Sequence, residues 1–161
     1  ADIVGNIQGD QPFMDPTMTE ETVAPLLEDA SVQVCTVMHA IEKPEDIEDP
    51  AVVKVVTDLA GFALYFSRFR IPYPQKPVEH TLYHRVGLYV YRREFLLTVS
   101  QLAPTPLEKI ESLEQLRWLE HGYRVRVVAS ACTDKAFSGF SVDTPEDLAR
   151  AEAMLRERGL E

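Results

Sequence analysis

Asn6-Ile7-Gln8-Gly9-Asp10-Gln11-Pro12 follows the short apolar run Ile3-Val4 and precedes Pro16 and a helix-start pattern. The segment reads as a buried strand whose carboxyl end carries polar side chains before the chain turns away. In open α/β sheets, ligands bind at that end of a strand. An Asp held there, beside a Gly that lets a ligand approach the backbone, suits a metal ion. Gly, Asp and Pro are also ordinary turn formers. On this segment alone the plainer reading, a strand ending in a polar turn, is the stronger one.

Working outward, Thr17 with Glu20 three residues on forms a capping box, with Thr19 a competing cap. The helix it starts is expected to reach about Asp29, with Val23, Leu26 and Leu27 facing inward and Pro25 awkward inside it. Ser31 to Ala40 is β-rich, and an acidic link runs from Glu42 to Pro50. Val52–Asp58 and Phe62–Ser67, joined by Leu59-Ala60-Gly61, read as a hairpin with Gly61 at positive φ. Pro72, Pro74 and Pro77 make the next stretch a loop or arm, since each removes a backbone donor.

His84 to Tyr91 is strand-like, with Val86, Leu88 and Val90 alternating against Gly87, Tyr89 and Tyr91. Arg92 to Gln101 reads as a helix. Thr105-Pro106 opens the strongest helix pattern, Pro106 to His121, stopped by Gly122. Its apolar residues, from Leu107 to Leu119, spread right around a helix, which predicts an enclosed element. Tyr123 to Ser130 is a strand and Cys132 to Ser141 is irregular. Thr144-Pro145-Glu146-Asp147 starts a last helix that ends at Gly159, with Leu148, Ala151 and Leu155 on one face. The alternation predicts an α/β fold with a mixed, mostly parallel sheet and an inserted β-hairpin or arm over residues 50–92.

At 161 residues, 45% hydrophobic and 26% charged, the chain is one globular domain, not a disordered segment. A net charge of -10 argues against nucleic-acid or membrane-surface partners, which need a positive patch. An acidic protein handling a phosphorylated ligand needs a divalent cation or a local cluster of Lys and Arg to offset repulsion. Cys35 and Cys132 sit in apolar runs and read as buried free thiols. No apolar run approaches a membrane span and no signal-peptide pattern opens the chain, so a cytoplasmic location is the default. Ala1-Asp2-Ile3-Val4 enters a strand almost at once, which predicts a start inside a domain.

No phosphate-cradling glycine loop and no nucleophile triad pattern is present. The four His residues, at 39, 80, 84 and 121, lack ligand spacing. Asp10 at a strand end and Asp143 before the last helix would converge on one Mg²⁺ if both segments share a sheet. On the motif alone, an ordinary helix opening is the stronger reading of Asp143. Glu111 and Gln115, one turn apart, would share a face and suit sugar hydroxyls, or form a plain exposed stripe. Arg68, Arg70 and Arg85 flank the hairpin and the Tyr-rich strand, where an Arg can take a carboxylate bidentately; surface positions are the usual case.

Five blocks, taken together, go further. Asn6–Pro12, Val53–Arg68 with Ile71-Pro72, Gly87–Arg92, Pro104–Arg117 and Ser141–Leu148 resemble, in order, blocks of the 3-deoxy-manno-octulosonate (Kdo) cytidylyltransferases. The resemblance implies a nucleotide-diphospho-sugar-transferase type fold and a homodimer. It also implies a reaction of CTP with Kdo giving CMP-Kdo and pyrophosphate, with Mg²⁺, for lipopolysaccharide synthesis. By motif, Asp10 and Asp143 match metal-binding aspartates, and Gln8, Arg68, Tyr89, Glu111 and Gln115 fall in blocks that line the sugar pocket. The family's H-x-G-x-Y pattern departs here: Arg85 holds the His place and His84 comes one residue earlier. Which of the two faces the sugar stays open. The resemblance covers roughly the last two-thirds of such an enzyme, without the part that grips the triphosphate and reads cytosine, and it predicts that the isolated chain is inactive. A cytidylyltransferase for a sialic acid or amino-Kdo, or a non-catalytic binding or dimerisation module, are the alternatives.

Overall fold

A computed structural model describes residues 1–134, 140–142 and 144–160. Its strands are β1 (Ile3–Ile7), β2 (Val34–Ala40), β3 (Lys54–Thr57), β4 (Ala63–Ser67), β5 (Tyr83–Arg92) and β6 (Arg126–Ala129). The helices are α1 (Pro16–Glu28), α2 (Pro44–Glu48), α3 (Arg93–Val99), α4 (Pro106–Glu111), α5 (Gln115–Glu120) and α6 (Pro145–Glu157).

β5 is the organising strand. The sheet order is β4-β3-β5-β2-β6, with β1 also paired to β5. One edge of β5 meets β2; the other is shared between β3, at Tyr83–His84, and β1, along Leu88–Arg92. An isolated bridge from Phe62 to Arg126 joins the two ends of the path. Among these pairings only β2 with β6 is parallel. The expected mostly parallel sheet is therefore corrected to a mostly antiparallel one. β1 and β2, linked through α1, both run opposite to β5 and hence point the same way. Strand–helix alternation reveals that shared direction but not the strand inserted between them.

The alternation along β5 separates two cores. Val86, Leu88 and Val90 pack with Met18 and Leu26 of α1, and with Cys35 and Val37 of β2. Tyr89 and Tyr91 face the opposite side, with Phe95, Leu113, Leu116 and Trp118. Both cysteines are buried thiols outside any disulfide among the described residues; burial pushes the Cys35 thiol up to about 12, which makes it inert. α1 buries Met18, Thr22 and Leu26 at helical spacing, while Leu27 is exposed, against expectation. It also starts earlier than expected, because Asp15 caps it by accepting from Thr17 N at 2.8 Å with Pro16 at the first position.

The hairpin forms as the sequence indicated, with Gly61 at φ 77. The single helix expected from Pro106 to His121 does not. Ser112, in the left-handed region at φ 52 and ψ 49, splits it into α4 and α5. The break resolves the scattered apolar pattern: Leu113, Leu116 and Trp118 turn into the core and Ile110 is left exposed. Arg117 of α5 donates to both carboxylate oxygens of Glu108 in α4, including Nε at 2.8 Å, and so fixes the angle between the two pieces. α6 opens on a Thr144–Asp147 capping box; Ala151 is buried but Leu148 is not.

Candidate active site

The ends of β1 and β4, the middle of β5 and the start of α5 enclose a cleft of about 180 Å³. Gln8, Arg68, Arg85, Tyr89 and Gln115 all line it, so five of the residues singled out in the sequence meet in space. Asn6, Tyr91, Glu114 and Trp118 line it as well and were not anticipated. Tyr91 lies two residues beyond Tyr89 on the same face of β5, a signal that was readable. Trp118 lies three residues past Gln115, but only the helix break makes that spacing meaningful.

The cleft's chemistry lies in its unused polar atoms. Among the described residues, Arg85 Nε, Tyr89 Oη, Gln115 Nε2 and Trp118 Nε1 are buried without a hydrogen-bond partner. A buried unsatisfied group costs about 1–3 kcal/mol, so four around one small cleft form an expensive arrangement. All four can donate, which matches the hydroxyl and carboxylate oxygens of a ligand. Burial raises the Tyr89 and Tyr91 phenols further above their usual range, so both stay protonated. Trp118 meets the Tyr89 and Tyr91 rings edge-on, with centroids 5.4 and 5.6 Å apart, and so is held rigidly. Arg85 lies over the Tyr89 ring, its Cζ 5.7 Å from the centroid.

Two of the predicted sugar-binding residues, Glu111 and His84, stand outside the cleft lining, as does Asp10 of the predicted metal pair. Glu111 is not one turn below Gln115 on a shared face, because the break separates them. Its oxygens accept from the Ser67 hydroxyl at 2.7 Å and from Arg68 N at 2.9 Å. His84 meets the ring of buried His39 edge-on. Of the His84–Arg85 pair, Arg85 is therefore the one at the cleft.

Asp10 follows in the turn after Gln8. Its Oδ1 is buried with no partner among the described residues, and its Oδ2 accepts from Ser141 Oγ at 3.4 Å. Val142 N donates to Asp10 O at 2.8 Å, which brings the segment ahead of Asp143 against this turn. Asp143 itself lies outside the described residues. No cluster of three or more His, Cys, Asp or Glu suited to a metal occurs among the described residues. The turn is seated by Gly87: a Cβ there would lie 2.8 Å from Gln11 Oε1 and 2.9 Å from Gln8 Cγ. A larger cavity of about 400 Å³, between Phe13–Met14 and Leu155–Leu160, is mainly apolar and holds none of the four unpartnered donors. The chemistry points to the smaller cleft.

The cytidylyltransferase family model matches residues 1–129. The chain belongs to the cytidylyltransferase family. It is 49% identical over 163 aligned residues to a 3-deoxy-manno-octulosonate cytidylyltransferase of Syntrophotalea carbinolica, covering 96% of this chain and 63% of that one. A protein of the same name from Solibacter usitatus is 48% identical, covering 97% of this chain and 60% of its own length. The solved structure of CMP:2-keto-3-deoxy-manno-octonic acid synthetase complexed with CTP superposes with a TM-score of 0.89 at 38% identity, over 98% of this chain and 63% of that one. A 4-diphosphocytidyl-2C-methyl-D-erythritol synthase from Anaerococcus prevotii, at 15% identity and TM-score 0.55, shares the fold. The chain thus spans about three-fifths of the length of the curated relatives it matches. No helix among the described residues is long and apolar enough to cross a membrane.

Proposed function

We propose that this chain forms the sugar-acid half of an enzyme that transfers cytidylate from CTP to Kdo, giving CMP-Kdo and pyrophosphate for lipopolysaccharide synthesis in the cytoplasm. The observation that carries the proposal is the convergence of four unpartnered donors on one cleft, in a chain whose relatives bear that name. In the reaction the anomeric hydroxyl of the sugar attacks the α-phosphate and pyrophosphate leaves. The residues of this chain supply orientation. Gln115, Trp118 and Tyr89 donate to sugar oxygens, and that rigid set holds the hydroxyl in line for attack. Of the three arginines suited to a carboxylate, Arg70 pairs with Glu48 at 3.6 Å and Arg68 is bonded to backbone. Arg70 also lies outside the cleft lining, whereas Arg85 lines it with an Nε that has no partner among the described residues, and so takes the acid group.

The buried, unpartnered Oδ1 of Asp10 fits a cation, and Asp10 with Asp143 would hold Mg²⁺. When bound, the ion supplies neutralisation of phosphate charge. Leu59, Leu64, Phe69 and Tyr73 leave the hairpin and the following arm with exposed apolar surface, which supports a homodimer through that region.

The test is pyrophosphate release with CTP, Kdo and Mg²⁺, by this chain and by the chain extended to its relatives' full length. Turnover by the extended protein, and its loss in Asp10→Asn with Kdo affinity retained, are the expected results. Full activity of Asp10→Asn contradicts the metal role. Binding of Kdo without turnover by the extended protein favours a non-catalytic module.

A further inference from the structure

Arg68 lines the cleft, yet its guanidinium is bonded to the protein. Nε donates to Glu111 O at 2.7 Å, Nη1 to Pro50 O at 2.9 Å and Nη2 to Ser112 O at 3.3 Å. In return, the Glu111 carboxylate accepts from Arg68 N and from the Ser67 hydroxyl. Beneath them Lys54, fully buried, donates through Nζ to Asp49 O at 2.6 Å and to Arg68 O at 3.2 Å. These bonds tie the end of β4, the link before β3 and the α4–α5 junction at one point.

At that junction sits Ser112, which alone among the described non-glycine residues has positive φ. An L-residue enters this region only at a cost. The carbonyls at a helix end also lack intrahelical partners. The Arg68 fork answers both needs, since it accepts the strained turn as found and satisfies the carbonyls of Glu111 and Ser112. A lysine cannot, because one ammonium lacks the planar, forked reach to three separated acceptors. Immediately past the turn come Glu114, Gln115 and Trp118, which line the cleft.

We propose that Arg68 is a positioning residue: with Glu111 it clips β4 to the α4–α5 break, holds Ser112 left-handed, and so aims Gln115 and Trp118 into the cleft. It acts on the ligand through those residues rather than by ion pairing. The inference rests on the sugar-acid reading for its ligand, but not for its test on the unliganded chain.

Trp118 is the sole tryptophan, so its fluorescence reports Kdo binding directly. Arg68→Ala and Arg68→Lys are each expected to weaken Kdo about tenfold, or about 1.4 kcal/mol. Adding Ser112→Gly, which enters the left-handed region freely, recovers about threefold of that loss in both backgrounds. In the unliganded chain, amide hydrogen exchange over residues 111–116 quickens in Arg68→Lys and slows again in the double variant. A near-native Kd in Arg68→Lys with no response to Ser112→Gly overturns the proposal in favour of direct charge contact. So does unchanged exchange. If the unsubstituted chain binds no Kdo, the sugar-acid reading fails, and the exchange comparison still decides the clip. If Arg68→Ala does not fold, the lysine variant carries the test.

Discussion

Replacing Gly87 with alanine puts a methyl group into the contact that seats the Gln8–Gln11 turn on β5. The added Cβ would sit 2.8 Å from Gln11 Oε1 and 2.9 Å from Gln8 Cγ, where ordinary contact begins near 3.4 Å. The neighbours must therefore withdraw by about 0.5–0.6 Å, the regime of overpacking that costs about 1–3 kcal/mol. Gln11 meets the methyl with the far end of its side chain and can swing aside. Gln8 meets it close to its own backbone, so Gln8 sets the cost. Gly87 does not have positive φ, so alanine also gains about 0.5–1 kcal/mol from reduced chain freedom. The balance is a loss of about 1–2 kcal/mol, read by urea unfolding. Because Gln8 lines the cleft and Asp10 lies two residues on, the same shift is expected to weaken Kdo binding by about tenfold, read by titration of Trp118 fluorescence. A variant that gains the full glycine-to-alanine increment and binds Kdo normally would refute the seating of this turn on β5.

Tyr89→Phe removes a buried hydroxyl with no partner among the described residues, so the unliganded chain should keep its stability or gain up to about 1 kcal/mol, while Kdo binding weakens about fivefold. A fall in melting temperature without change in affinity would mark the hydroxyl as structural. Glu108 is held below its ordinary value of 4.5, chiefly by the hydrogen bond from Arg117. Its stabilisation is therefore present above pH 4.5 and is lost as pH falls from there through the depressed folded value. Glu108→Gln should be less stable at neutral pH and lose less stability on acidification; parallel urea midpoints for the two proteins across that window would contradict this.

Local chemistry made much of this molecule readable. The Thr144 and Thr105 caps, the hairpin at Gly61 and the two faces of β5 depend on residues within a few positions of one another. What failed depends on distant partners. Nothing within β1 or β2 tells that β5 slots between them, so their common direction read as a parallel sheet. Nothing between Pro106 and His121 breaks a helix; Ser112 turns left-handed where Arg68 and Glu111, brought by another element, bond the junction. The candidate site divides in the same way. The family resemblance picked out Gln8 and Tyr89, and the residues themselves suggested Arg85 and Gln115, but the place of Trp118 and the separation of Glu111 from the cleft follow from that long-range break.

If the four donors without partners among the described residues serve a sugar acid, Trp118, one of the four, meets that ligand directly. Titrating the chain with Kdo while following its one tryptophan measures that directly. A saturable change in emission is expected, abolished by Gln115→Leu and much weakened in Arg85→Gln, with a Kdo analogue amidated at the carboxyl binding poorly. Emission that does not respond to Kdo, or that responds equally to the amide, would contradict that role.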